Sequence, residues 1–256
     1  MARTLKLVAP PGYRAVSPLD RQKHAGFGLP QPADYRWARE LNALYLGAAE
    51  FMKAGLDYPI AFVRDERSGE FMPMAILGLR SRQNLFVDAG GSWRSEAYVP
   101  AYARRFPFCI AEVPAAPRSS DAPQRLICVQ QDQLVAGSPQ PLFTVNGEPT
   151  PAWEPIQQLL EAIEGSRQQT RVLTRRLEAL GLLVPFDAVA MPRKGDRLRL
   201  QGLHRVDEER LLQVPGRDLR TMMRKGELRA VYAHLNSLEN FGRLLDLAQR
   251  SNPDSA

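Results

Sequence analysis

The chain has 256 residues, 44% of them hydrophobic, with a formal net charge of +6, 21 prolines, 18 glycines and two cysteines. A chain of this length buries a substantial core without disulfides or metals, and two cysteines exclude a disulfide-framework scaffold. No stretch approaches about 18 apolar residues, and the start, MARTLKLVAPPGYRAVSPLD, lacks the apolar centre of a secretory leader, so neither a membrane-spanning helix nor a signal peptide is expected. A soluble, cytoplasmic protein is the expectation, with surface association through a signal-independent export route left open.

The frequent Pro and Gly favour many short elements over a few long helices. Residues 1–33 read as a lead-in, with 1–23 an extended arm and a short edge strand near Leu5, Leu7 and Val8. Trp37, Leu41, Leu44, Ala48 and Phe51 recur at spacings of 4, 3, 4 and 3, which predicts a helix from Asp34 to Lys53 ended by Gly55. Short strands follow at 59–64 and 71–79, joined by the turn Glu66-Arg67-Ser68-Gly69, with Pro73 suggesting an edge position or a bulge. Further strands are expected at 84–88, 106–112, 126–130 and 142–145, with turns at Gly90-Gly91 and Asn146-Gly147 and a surface loop at 113–123.

The second half reads as mostly helical, with helices at 153–163 and 166–180, the latter stopped by Gly181. A loop at 187–196 precedes a strand at 197–203; short helices follow Asp207 and Asp218, the first stopped by Pro215-Gly216 and the second by Gly226. The last helix starts near Glu227 and presents Leu228, Val231, Leu235 and Leu238 to the core; 246–256 is a frayed tail. Short strands without crossover helices argue against a parallel doubly wound sheet. The expected fold is α+β: a mainly antiparallel sheet with a packed helix in the N-terminal half and a helix-rich C-terminal half, in one domain spanning 1–256.

Motifs for chemistry are sparse. The three histidines, His24, His204 and His234, are scattered and form no ligand cluster with cysteine, so no metal site and no cofactor are expected. GxGxxG, Walker A and Gly-x-Ser-x-Gly are absent. Cys109 and Cys128 sit in apolar strand-like stretches and read as buried free thiols, or as a disulfide if their strands are neighbours. His234 and Ser237, three apart, share a helical face; this suits a packed face or a pocket. The net positive charge comes from Arg167–Arg229, where fifteen Lys and Arg stand against eight Asp and Glu. Such a face attracts nucleic acid, anionic lipid or acidic protein, or is simply solvated. No nucleic-acid module appears and aromatics do not alternate with the arginines, so nucleic acid is not an expected partner.

The most unusual stretch is 84–108, NLFVDAGGSWRSEAYVPAYARRFPF, which mixes Trp93, Tyr98, Tyr102, Phe106 and Phe108 with Arg94, Arg104 and Arg105. Aromatics with arginine offer rigid apolar area and multidentate donors that suit a carboxylate-bearing or aromatic ligand or a peptide segment. They equally suit a core layer whose arginines pair with Glu96, Glu112 or Asp132. The candidate ligand- or partner-binding residues are Trp93, Tyr98, Arg104, Arg105, Asp132, His234 and Ser237.

The same stretch closely resembles the central segment of SapC-like bacterial proteins. So do YPIAFVRDERSGEFMPMAILGL (58–79), PLFTVNGEPTPAW (141–153), LQGLHRVDEERL (200–211) and GELRAVYAHLNSLENFGRLL (226–245), in that order. The resemblance runs from about His24 to Leu245. It implies an accessory role linked with nutrient uptake or with halogenase-like flavoenzymes, and a surface-layer association in some bacteria; it carries no catalytic residue. The expected function is therefore a non-catalytic binding or accessory protein. The alternatives are an enzyme with a pocket near Arg104, Arg105, Asp132 and His234, and a surface-layer structural protein.

Overall fold

The computed structural model describes residues 7–113, 124–191 and 197–250. Leu5, most of the 113–123 loop, residues 192–196 of the 187–196 loop and the last six residues of the expected tail lie outside them. In chain order the strands are β1 Ser17–Pro18, β2 Phe27–Gly28, β3 Ala43–Tyr45, β4 Ile60–Arg64, β5 Phe71–Ile76, β6 Phe108–Val113, β7 Gln124–Val129, β8 Val135–Ala136, β9 Leu183–Ala190 and β10 Leu198–Val206. The helices are α1 Phe51–Ala54, α2 Ala101–Arg104, α3 Glu154–Ala179, α4 Glu208–Leu212, α5 Gly216–Arg224, α6 Glu227–Ser237 and α7 Asn240–Arg250. The N-terminal half is strand-rich and the C-terminal half is dominated by helices, as the turn chemistry and periodicity predict.

The chain divides into two compact units. The first takes residues up to Trp37 together with Arg105–Ala162. Its antiparallel sheet has the order β1-β7-β6, and β2 pairs with β8. Phe108, Val129, Leu142, Phe143, Trp153 and Leu160 form its apolar centre. Trp153 meets the Phe108 and Phe143 rings at 5.5 and 5.1 Å between centroids. The expected strand at 142–145 reduces to one bridge, Phe143 to Pro149, because the N–H groups that would extend the ladder go elsewhere: Leu142 N–H to the Phe27 carbonyl at 2.8 Å and Glu148 N–H to the Thr144 hydroxyl at 3.2 Å. Gly147 makes the predicted turn in the left-handed region at φ 79°.

The second unit takes Ala38–Arg104 and the chain from Ile163 onward. Its five-stranded sheet has the order β3-β5-β4-β10-β9, and every pairing is antiparallel. Pro73 is not on an edge strand, since β5 lies between β3 and β4; its carbonyl accepts from Leu46 N–H at 3.0 Å, just past the end of β3. The helix expected over 34–53 is not formed. Arg36–Ala38 and Ala48–Glu50 are single 3-10 turns, α1 is one turn, and Ala43–Tyr45 pairs with Met74–Ile76 as β3. Leu44 and Leu46 are both buried, a period-2 pattern that competes with the helical one; sheet pairing decides between them. Phe51 of α1 still packs its ring on Phe62 of β4, at 6.3 Å.

Other corrections have local causes. Residues 84–88 form no strand beyond a Val87–Trp93 bridge, because the Asn84 side chain takes the Phe86 N–H at 2.9 Å. The two helices expected at 153–180 are one, α3, which continues through an exposed Gly165; helix propensity charges about 1 kcal/mol for that glycine, and buried Thr170, Leu173 and Leu177 anchor the helix beyond it. Residues 187–190, expected in a loop, belong to β9, an edge strand that tolerates Pro185. Residues 7 and 8 form no strand. The last helix is broken into α6 and α7 around Leu238-Glu239. Its buried face is Glu227, Ala230, Val231, His234 and Ser237, while Leu228, Leu235 and Leu238 are half-buried.

Candidate functional site

Three of the candidate residues, Trp93, Tyr98 and Arg104, are joined in the second unit by one hydrogen-bonded chain. Trp93 is buried and donates its indole N–H to the Tyr58 hydroxyl at 2.9 Å. Tyr58 in turn donates to the Tyr98 carbonyl. The Tyr98 N–H is held by Asp57 Oδ2 at 2.8 Å, and Asp57 Oδ1 faces Arg243 at 3.2 Å. The main chain of Tyr98 is thus fixed at both its polar atoms.

The Tyr98 side chain points the network toward solvent. Its hydroxyl donates to Glu50 Oε1 at 2.9 Å. The same oxygen accepts the first N–H of α2, from Ala101, at 2.7 Å, and Glu50 Oε2 accepts from Gly47 N–H at 3.1 Å. Arg104, the last residue of α2, is exposed. Its Nε donates to the Val99 carbonyl at 3.1 Å, its Nη2 donates to the Tyr98 hydroxyl at 3.1 Å, and its guanidinium carbon stands 5.7 Å from the Tyr98 ring centroid. Burial and the neighbouring Glu50 carboxylate push the Tyr98 phenol up to about 12, against the pull of Arg104. Burial pushes the Tyr58 phenol up as well.

His234 and Ser237 stand elsewhere in the same unit, on the buried side of α6, and both are 0% exposed. His234 Nε2 accepts the Val206 N–H at 3.0 Å, so Nδ1 carries the proton and donates to the Ile60 carbonyl at 2.8 Å. The Ser237 hydroxyl accepts the Ile60 N–H at 2.9 Å and donates to the His234 carbonyl at 2.6 Å. Both side chains therefore clamp the first residue of β4, and His234 also clamps the last residue of β10. The imidazole is neutral: burial pushes its pKa down to about 4. The serine hydroxyl and the imidazole have main-chain partners rather than each other, so the pair is not wired as nucleophile and base.

Arg105 and Asp132 belong to the first unit. Arg105 is half-buried, with its guanidinium 6.0 Å from the Tyr13 ring. Tyr13 meets Phe106 edge-on at 5.1 Å, and Phe106 stacks on Trp37 at 4.3 Å. Asp132 is exposed in a 3-10 turn. Cys109 and Cys128 are free, buried and directly opposite across β6 and β7; their shared hydrogen bond pushes the Cys109 thiol up and the Cys128 thiol down. Among the described residues no group of three or more His, Cys, Asp or Glu could hold a metal ion. No helix among them is long and apolar enough to cross a membrane.

Sequence reasoning did not single out Glu50, Asp57, Tyr58 or Arg243, which position the Tyr98 segment. The helical spacing puts Glu50 on a helix that does not form, and nothing in that spacing ties it to a tyrosine 48 residues away. The family model described as SapC matches residues 19–244. No curated protein matches the chain. No solved structure matches it.

Proposed function

Since the chain belongs to the SapC family, we propose that it is a non-catalytic binding or accessory protein whose ligand contact centres on Arg104 and Tyr98. Family membership is consistent with a binding or accessory role. The observation that carries the reading is Arg104. It is exposed, oriented by two hydrogen bonds and stacked near an aromatic ring, and it makes no ion pair among the described residues. A guanidinium held this way retains donors for a carboxylate, and the tyrosine beside it offers a ring face. The ligand class is a carboxylate-bearing or aromatic small molecule, or a peptide segment presenting those groups. Trp93 supports this wall from behind through Tyr58. Arg105 and Asp132 are proposed as partner contacts of the first unit, and His234 and Ser237 as the buried supports of the sheet that carries the wall. A cytoplasmic location and a single SapC domain across both units complete the reading; the match over 19–244 supports the latter.

Benzoate, which carries both a ring and a carboxylate, is a suitable probe. Titration followed by two-dimensional NMR should perturb Arg104 and Tyr98 resonances in the native chain. Arg104→Ala should abolish the response while the melting temperature barely moves. An unchanged response in Arg104→Ala, or none in the native chain up to the solubility of the probe, rules the site out.

A further inference from the structure

The basic excess of the chain is distributed unequally between paired and unpaired cations. On α3 and around it the arginines are paired with carboxylates. Glu70 takes Arg171 and Arg175 at 2.8 and 2.6 Å, Glu164 takes Arg167 at 3.1 Å, and Glu178 takes Arg64 at 3.2 Å. The α5 segment is different. Arg217, Arg220 and Arg224, spaced 3 and 4, form one row on the side of α5 opposite buried Met222 and are all exposed. Lys225 and Arg229 follow, also exposed. None of these five makes a close ion pair among the described residues; Lys225 acts on Glu227 only through the longer-range attraction of its charge. Asp218 is the one carboxylate on α5, half-buried, and Glu227 is engaged by Arg176 at 2.9 Å.

Large apolar side chains are exposed in the same stretch of chain. Met223 flanks the arginine row and is 74% exposed; Leu212, the last residue of α4, is 75% exposed. No aromatic residue occurs between Asp207 and Arg229.

We propose that this face, from Leu212 through α5 to Arg229, docks on an anionic phospholipid surface. Each Lys or Arg near such a surface contributes about 1 kcal/mol. The arginine row extends about 10 Å at the helical rise, which suits several lipid headgroups at once. An exposed methionine and leucine gain by entering the headgroup–acyl boundary, a gain that a phosphodiester chain does not offer. A single-stranded nucleic acid would use aromatic faces for stacking, and this segment has none. The surface is separate from the Arg104 wall, so the two proposals stand or fall independently.

The test is co-sedimentation of the full chain with vesicles of phosphatidylcholine alone or mixed with phosphatidylglycerol, beside gel-shift titration with a short DNA duplex. Binding is expected for the phosphatidylglycerol vesicles alone, weakening as salt rises. Arg220→Gln/Arg224→Gln should lower the partition coefficient about 30-fold, the equivalent of two contacts at about 1 kcal/mol each. Met223→Ser should lower it further. Both variants alter exposed side chains, and an unchanged melting temperature verifies that they fold. No binding to phosphatidylglycerol vesicles at low salt overturns the proposal, and so does binding that the arginine variant leaves intact. DNA binding of equal strength, with Met223→Ser without effect on vesicles, also overturns it in favour of a general polyanion surface.

Discussion

Two clusters of the second unit use the same kinds of polar side chain to opposite ends. Around His234 and Ser237 every hydrogen bond ends on main chain, both residues are fully buried, and the bonds hold β4 and β10 in place. Around Tyr98 the network also begins on buried groups, Trp93 and Tyr58, but it ends on an exposed guanidinium. A histidine and a serine on one helical face thus resemble machinery in the sequence yet act as main-chain clamps. The exposed arginine is the one whose fixed contacts leave donors unused. Residue type does not separate these roles; the destination of the last hydrogen bond does.

That contrast can be broken by mutation, and the buried cluster should give the largest effect. His234→Ala leaves the Ile60 carbonyl and the Val206 N–H without partners and opens a cavity beside Phe62, whose ring lies 4.9 Å from the imidazole. The expected loss is roughly 3–5 kcal/mol in chemical denaturation. A loss below about 1 kcal/mol would remove the clamp as an explanation.

The same histidine gives a pH signature. Its folded pKa is near 4, below its ordinary value of 6.5, so the unfolded chain binds the proton first. Stability should therefore be intact above about pH 6.5 and fall as pH drops toward 4, by about 3 kcal/mol in total. His234→Asn should flatten that acid limb in a series of urea melts, whatever its effect at neutral pH.

Smaller effects are expected in the Tyr98 cluster. Trp93→Phe removes a donor to Tyr58 and part of a buried ring, for roughly 1–3 kcal/mol. Tyr98 should titrate near 12 in absorbance at alkaline pH, and Glu50→Gln should bring its midpoint down by removing the neighbouring charge. Because the folded pKa is raised, stability from this group is present below about pH 10 and lost as pH rises through 12. Arg104→Ala should cost least, under about 1 kcal/mol, since its contacts are solvent-exposed. If it destabilised the protein as much as His234→Ala, the two clusters would not differ in kind.

Local signals in the sequence agree with the structure where the backbone itself sets the geometry. Asp207 caps α4 by accepting the Arg210 N–H at 3.2 Å, and Gly181 and Gly226 take left-handed backbone at φ 65° and 72° after α3 and α5. Periodicity failed where two periods overlap. Trp37 through Phe51 reads at helical spacing, but Leu44 and Leu46 also alternate, and the partner strand β5 was not visible from within the segment. The leucines of α6 misled for another reason. Its deepest positions carry a histidine and a serine because β4 and β10 offer main-chain polar groups there, which leucines could not satisfy. Of the candidate site, the aromatic–arginine stretch was legible as a cluster, while the carboxylates that organise it came from residues about 40 to 50 positions earlier.

The clamp on Ile60 has a consequence for the order of events during synthesis. Ile60 is joined to Ser237 across 177 positions, and β4 reaches β10 across a comparable span. The β3-β5-β4 part of the sheet can form as soon as its own residues leave the ribosome, because its pairings are comparatively local. One edge of β4 then stays uncovered until β10 and α6 have been translated. At ordinary elongation rates of about 5–20 residues per second that interval lasts roughly 10–30 s, during which an apolar strand edge is open to wrong partners. Stalled chains ending before α6 should therefore recruit chaperones that release once Ser237 has emerged.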